Sequence, residues 1–240
     1  MGRRKPEPQK SPTISVCILA GGLSSRMGRD KSRIRIGRRT MLGHVRHIAS
    51  QLGLPVRVLR RDAVPRCGPI GGIYTVLART RSDAILFLAC DMPFVTPAFL
   101  RQILGTFRCA NVTVAQVSKP AVSPISKSAG GENSRARKLF PSPAGFETRD
   151  TADLEVCATT KPSSPPAIFA SQKNLFGLPC LIPRDSLPII SRQIAKSKFS
   201  LQSLARALNA KRLTPSHHAT HQLLNLNSPE DLKTAGRMAP

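Results

Sequence analysis

The stretch Ile18-Leu19-Ala20-Gly21-Gly22-Leu23-Ser24-Ser25-Arg26-Met27-Gly28-Arg29-Asp30-Lys31 holds the residues best suited to chemistry. An apolar run breaks into glycines and serines and ends in basic side chains. Gly21 and Gly22 have no Cβ, so backbone N–H groups can come close to a ligand, and successive amides in such a loop make an anion-binding concavity. Arg26 and Lys31 bring positive charge to the same place. The loop lacks the GxxxxGKS/T order of a Walker A loop and the GxGxxG order of a dinucleotide fingerprint. A second site is Leu88-Ala89-Cys90-Asp91-Met92-Pro93. An Asp just past a buried strand projects at the carboxyl edge of a sheet, where open α/β folds bind ligands. Its hard carboxylate suits Mg²⁺, which takes one or two carboxylates together with phosphates and water. The competing reading of Asp91 is a cap on the following helix, a role for which Thr96 is better placed.

Three further segments carry candidate contacts. Cys67-Gly68-Pro69-Ile70-Gly71-Gly72-Ile73 has small residues that let the backbone pass close to a planar base, and Asp62 lies just upstream. A carboxylate there can accept hydrogen bonds from a base edge or from ribose hydroxyls, or it can simply form a turn. Leu224-Asn225-Leu226-Asn227-Ser228-Pro229-Glu230-Asp231-Leu232 reads as a strand end followed by a helix start, with Ser228 as N-cap. Phe176 to Ile182 is apolar and contains Pro179. His217, His218 and His221 cluster locally and read as a solvent-exposed loop rather than a metal site. His44 and His47 are not at metal-ligand spacing.

These segments resemble the molybdenum cofactor guanylyltransferases of the nucleotidyltransferase family. The first loop carries every fixed letter of the LAGGxSxRMGxDK signature. Cys90–Pro93 resembles the CDxP element, Gly68–Ile73 the GPLGGI element with Ile70 for Leu, and Asn225–Leu232 the NxNTPEDL element with Ser228 for Thr. The likeness covers Ser15–Leu104 well and Phe176–Ala235 loosely. It implies a GTP site at Leu19, Ala20, Gly21, Gly22, Lys31, Asp62, Gly71 and Asp91, with Arg26, Lys31 and Asp91 catalytic. It also implies Mg²⁺ on Asp91, with Mn²⁺ as an alternative, and a pterin side at Pro179, Asn225 and Asn227. The chain departs from the family between Leu59 and Asp62, where only two residues stand in place of a longer segment, and Leu59 holds a position where the family often has Asn.

The activity so implied is transfer of GMP from GTP to molybdenum-molybdopterin, with pyrophosphate released. The substrates are GTP and molybdenum-molybdopterin, and the protein partners are a cofactor carrier or acceptor molybdoenzymes. Neither nucleic acid nor membrane is an expected partner. Alternatives are a CTP-using molybdopterin cytidylyltransferase, a sugar-phosphate nucleotidyltransferase, and a non-catalytic basic nucleic-acid-binding protein.

The elements that must position these residues follow from patterning. Ile14–Ala20 and Ala84–Ala89 are nearly continuous apolar runs, as in strands of a parallel sheet buried on both faces. Met41–Leu52 has helical spacing with Gly53 after it, Val56–Leu59 is a short strand, and Gly71–Thr80 is helical. Thr96-Pro97 opens a helix to Thr106, and Asn111–Val117 alternates like a strand. The succession of strand and helix predicts an α/β, doubly wound sheet, and the resemblance implies a three-layer, Rossmann-like nucleotidyltransferase fold with a mostly parallel central sheet. Residues 1–13 read as a basic disordered tail. Residues 14–240 read as one domain, interrupted at 118–175 by a Ser-, Pro-, Ala- and Lys-rich insertion of low order. Order resumes near Phe176, with helices at Asp185–Ala195 and Ser200–Leu208, a strand at Leu223–Leu226 and a last helix at Pro229–Gly236.

Composition narrows the rest. The 240 residues carry 37 basic and 13 acidic side chains, a net charge of +24. This points to a phosphorylated partner or to a basic surface without a dedicated one. The densest cluster (Arg29, Lys31, Arg33, Arg35, Arg38, Arg39) adjoins the glycine loop, which favours a nucleotide over a nucleic acid. One Tyr and no Trp argue against a base-stacking platform. The six cysteines form no CxxC pair, so they read as reduced thiols in a cytoplasm. No run reaches transmembrane length, and Pro6 breaks a myristoylation motif.

Overall fold

The computed structural model describes residues 11–21, 31–117, 165–228 and 230–233. The chain begins with β1 (Ile14–Leu19), then a 3-10 turn at Lys31–Arg33 and a small hairpin of β2 (Arg35–Ile36) and β3 (Arg39–Thr40). There follow α1 (Met41–Ser50), β4 (Val56–Leu59), α2 (Gly68–Arg79), β5 (Ala84–Ala89) and α3 (Pro97–Val117). After the gap come β6 (Ile168–Gln172), β7 (Leu175–Pro183), α4 (Leu187–Ala195), α5 (Leu201–Ala207) and β8 (Lys211–Leu213). Six strands form one sheet in the order β4-β1-β5-β7-β6-β8. The β1–β4, β1–β5 and β6–β8 pairs are parallel, whereas β7 runs antiparallel to both β5 and β6.

Two adjacent interior strands, β1 and β5, explain the layering. Along β1, Ile14, Val16 and Ile18 face the core shared with α1 and α3, and Cys17 faces the core shared with α2, α4 and α5. Along β5, Ala84, Leu86 and Leu88 point to the first core and Ile85 and Phe87 to the second. Alternate residues of one strand point to opposite faces, so an uninterrupted apolar run needs a helical layer on each side. That is the three-layer α/β architecture expected from the sequence. Helix starts follow ordinary capping chemistry. Thr40 Oγ1 accepts from Gly43 N at 3.0 Å, Thr96 Oγ1 from Phe99 N at 3.3 Å, and Ser200 Oγ from Ser203 N at 3.2 Å.

Several expectations are corrected. Asn111–Val117 is not a strand but the last part of α3. Its alternating Val residues mimic a strand, yet no Gly or Pro separates them from the preceding helix, which therefore continues. Leu223–Leu226 is not a strand either: a 3-10 segment covers His217–Leu223 and leads into residues without regular structure. Order also resumes earlier than Phe176, because β6 and the first residue of β7 lie within the stretch expected to have low order. The run Ala167–Ala170 is fully buried and pairs with β7 on one side and β8 on the other. Helix α2 starts at Gly68 rather than Gly71. The basic tail up to residue 10, residues 118–164 of the expected insertion, and the end of the last helix lie outside the described residues. Among the described residues, no helix is long and apolar enough to cross a membrane.

Candidate functional site

The carboxyl ends of three neighbouring strands converge. Leu19 is in register with Leu59 on one side and with Ala89 on the other. The ladder continues just beyond them: Ala20 N donates to Leu59 O at 2.8 Å, and Cys90 N donates to Leu19 O at 3.1 Å. The segments carrying Gly21, Asp62 and Asp91 therefore leave the sheet side by side. This is the edge at which parallel α/β sheets take ligands.

Asp62 lies over the start of α2, and glycines make room for it. A Cβ built on Gly72 would stand 3.2 Å from Asp62 Oδ1, 3.1 Å from Leu19 Cδ2 and 3.3 Å from Leu59 Cδ2. One on Gly71 would meet Val64 O at 2.7 Å and Asp62 Oδ2 at 3.6 Å. One on Gly21 would meet Arg60 O at 2.9 Å and Asp62 Oδ1 at 3.7 Å. These three glycines thus serve first to bring the Asp62 loop close to β1 and α2. Partial burial raises the Asp62 carboxyl above its ordinary value, because a partly desolvated carboxylate loses hydration. The loop is pinned from behind: Ala63 N donates to Thr75 Oγ1 at 2.9 Å, and that hydroxyl donates to Gly71 O at 2.7 Å. Thr75 belongs to no recognisable motif. Its only signal in the sequence is a polar residue on the otherwise apolar buried face of α2.

Asp91 follows β5, and its Oδ1 is withdrawn from solvent. Its backbone carbonyl accepts from Leu226 N at 3.0 Å, which docks the C-terminal segment against it. Leu226 is buried beside Ile36 and Met41, while its neighbours Asn225 and Asn227 are exposed. Asn227 N and Ser228 N both donate to Asp231 Oδ2, and Asp231 N donates to Ser228 Oγ, so Ser228 caps the helical turn at 230–233. Pro179 is buried in β7 next to Cys180, the register partner of Phe87. It therefore lies toward the same end of the sheet as Asp91.

Other expected residues fall differently. Gly22 and Arg26 lie outside the described residues, and Lys31 opens the 3-10 turn that precedes β2. Arg35, Arg38 and Arg39 are exposed on the β2–β3 hairpin. His44 Nε2 is 2.8 Å from Ile36 O and His47 Nε2 is 3.2 Å from Gln51 Nε2, so both serve local contacts around α1. Cys17, Cys67, Cys90, Cys109 and Cys180 stand outside any disulfide. Burial pushes the Cys17 thiol up to about 12, partly offset by nearby Arg57 and a hydrogen bond with the Leu59 backbone. Cys180 is raised by burial as well. Neither is a nucleophile near neutral pH.

Among the described residues, no group of three or more His, Cys, Asp and Glu could hold a metal ion. A closed all-protein cage is thus missing among them. A single hard carboxylate at Asp91 fits a cation that completes its shell with phosphate oxygens and water.

Residues 16–213 match the model of the MobA-like NTP transferase domain. The chain belongs to this family. A MobA-like domain also fits the relatives. The chain is 37% identical over 115 residues to a protein of Methanothermobacter thermautotrophicus named "probable molybdenum cofactor guanylyltransferase", a match covering 39% of this chain and 58% of that relative. The chain thus spans little more than half the length of that curated relative. The fold is similar to the crystal structure of molybdopterin-guanine dinucleotide biosynthesis protein A from Archaeoglobus fulgidus, with 14% identity, a TM-score of 0.55, and coverage of 93% of this chain and 97% of that one. It is equally similar to 2-C-methyl-D-erythritol 4-phosphate cytidylyltransferase from Thermus thermophilus, with 13% identity, a TM-score of 0.55, and coverage of 94% and 98%. The fold is therefore shared by proteins whose names specify different bases, so the fold alone does not set the base.

Proposed function

We infer that the chain transfers GMP from GTP to the terminal phosphate of molybdenum-molybdopterin, releasing pyrophosphate. The observation that carries this reading is the placement of Gly21, Asp62 and Asp91 on three adjacent segments at one carboxyl edge, within a MobA-like domain. The name of the Methanothermobacter relative supports the choice of nucleotide and acceptor. The working unit is a single nucleotidyltransferase domain over residues 14–240, interrupted after Val117.

Each residue then has a role. Leu19, Ala20, Gly21 and Gly22 hold the nucleotide through backbone groups, with Gly71 at the start of α2. Asp62 accepts hydrogen bonds from the base edge or ribose. Arg26 and Lys31 neutralise the triphosphate and the departing pyrophosphate. Asp91 holds Mg²⁺, or Mn²⁺ in its place, and the bound cation supplies charge neutralisation at the phosphates. Pro179, Asn225 and Asn227 face the pterin side.

A phosphate oxygen of the acceptor forms the new bond to the α-phosphorus as the bond from that phosphorus to the bridging oxygen breaks. The electron pair leaves with pyrophosphate. The nucleophile is already ionised near neutral pH, so the protein's task is alignment and charge stabilisation rather than proton abstraction. The product passes to a carrier or acceptor molybdoenzyme. Five described cysteines outside any disulfide fit a reducing cytoplasm.

The test is product analysis. The chain is incubated with Mg²⁺, molybdopterin-loaded carrier and GTP, CTP or ATP in turn, and the pterin products are identified by mass. Guanine dinucleotide formed from GTP alone supports the reading. Cytosine dinucleotide as the main product replaces it with the cytidylyltransferase reading.

A further inference from the structure

We propose that Thr75 is the positioning residue for nucleotide selection, acting through Asp62. This rests on the reading of Asp62 as the residue that meets the nucleotide. Thr75 is 2% exposed and stands one turn into α2 from Gly71. Its hydroxyl is used twice, accepting from Ala63 N at 2.9 Å and donating to Gly71 O at 2.7 Å. It thereby ties the residue that follows Asp62 to Gly71, whose vacant Cβ position lies 3.6 Å from Asp62 Oδ2.

The Asp62 loop needs such an anchor. Only Arg60 and Arg61 separate Asp62 from β4, and both are exposed. The glycines at 21, 71 and 72 create space for the carboxylate but supply no directional bond that fixes it. The Thr75–Ala63 bond is a specific tether from α2 to the peptide beside Asp62. A carboxylate held to within a few tenths of an ångström can favour one pattern of base donors over another. One on a loose loop accepts from any donor within reach.

Thr75→Val keeps the shape of the side chain and removes the hydroxyl, leaving Ala63 N–H without its acceptor. Thr75→Ser keeps the hydroxyl and removes the methyl group. A packing role and an anchoring role therefore predict opposite orders for the two variants. The full chain is titrated with GTP and with ATP in Mg²⁺ by calorimetry, for the natural protein, Thr75→Val, Thr75→Ser and Asp62→Asn.

The expected result is that Thr75→Val and Asp62→Asn each reduce the GTP-over-ATP preference by about tenfold, the effect of one hydrogen bond to a charged group or its loss, while Thr75→Ser stays within about twofold of the natural chain. An unchanged preference in Thr75→Val beside a reduced one in Asp62→Asn overturns this inference and leaves the role of Asp62 standing. An unchanged preference in Asp62→Asn overturns both. No GTP binding by the natural chain overturns the proposed function itself. Should Thr75→Val fail to fold, Thr75→Ala takes its place, and equal selectivity in Thr75→Ala and Thr75→Ser overturns the inference.

Discussion

The N–H of Leu226 donates to the carbonyl oxygen of Asp91 at 3.0 Å, joining a residue near the C-terminus to the end of the central strand β5. The bond uses the backbone of Asp91, not its side chain. Asp91→Ala therefore leaves this link in place and removes only the carboxylate. Guanylyl transfer is expected to fall roughly 10²–10³-fold, the usual size of losing one electrostatic element of a transition-state site, while the melting temperature changes little. Pyrophosphate release and thermal unfolding, measured on the same preparation, check both halves. Chelation of divalent cations should abolish transfer in the natural chain, and Mg²⁺ or Mn²⁺ should restore it.

Leu226 is fully buried against Ile36 and Met41, which lie on β2 and at the start of α1. Leu226→Ala is expected to cost about 2–5 kcal/mol through the cavity it opens, seen as a shift of the denaturant midpoint. Asn225→Ala and Asn227→Ala are exposed changes that should leave the midpoint nearly unchanged. Their expected effect is a higher KM for the pterin acceptor with an unaltered Kd for GTP, read by steady-state kinetics and calorimetry.

Asp62 is raised by burial, and the sign of its pH dependence follows. An acid whose folded pKa exceeds its unfolded value favours the fold while protonated in both states. That contribution is present below the ordinary value of 3.8 and is lost as pH rises through the higher folded value. At neutral pH the partly desolvated charge is a cost to the fold. Asp62→Asn should therefore raise the melting temperature at pH 7 and lose that advantage below about pH 4. GTP binding by the natural chain should weaken as pH falls through the raised value. Melting curves and titrations across this range check both directions.

Gly71 is closest to backbone that cannot move aside cheaply, with Val64 O at 2.7 Å from its Cβ position. Gly71→Ala is expected to destabilise by about 1–3 kcal/mol through overpacking and to displace the Asp62 loop. Gly37, whose φ is +59° with open space around its Cβ position, is the contrasting case. Gly37→Ala strains the β2–β3 turn without reaching the site, so it should lower stability and leave the Kd for GTP unchanged. Calorimetric GTP titrations of the two variants separate the effects.

The sheet was readable where burial leaves one pattern. The doubly buried runs of β1 and β5 and the alternation of strand with helix fix the three layers and the edge at which Gly21 and Asp91 emerge. It was less readable where one pattern serves two structures. The Val spacing in Asn111–Val117 suits a strand, but the helix before it meets no breaker. The apolar Leu223–Leu226 run satisfies Asp91 with one backbone bond instead of joining a ladder. The glycines of the Gly68–Ile73 element could be recognised as sites of close approach. That the approaching group is the Asp62 loop depends on how that loop folds back over the start of α2, which no residue pattern encodes. Thr75 was hidden for the same reason, since its partner Ala63 is twelve residues away on a different element.

Guanylyl transfer carries the α-phosphate of GTP, with its nucleoside, to the pterin. GTP labelled at the α-phosphorus and GTP labelled at the γ-phosphorus are supplied in parallel, with Mg²⁺ and molybdopterin-loaded carrier. The α-label is expected in a pterin dinucleotide and the γ-label in pyrophosphate, in equal amounts, with both lowered roughly 10²–10³-fold in Asp91→Ala. Release of γ-label as orthophosphate, or an α-label that never enters the pterin fraction, would contradict guanylyl transfer.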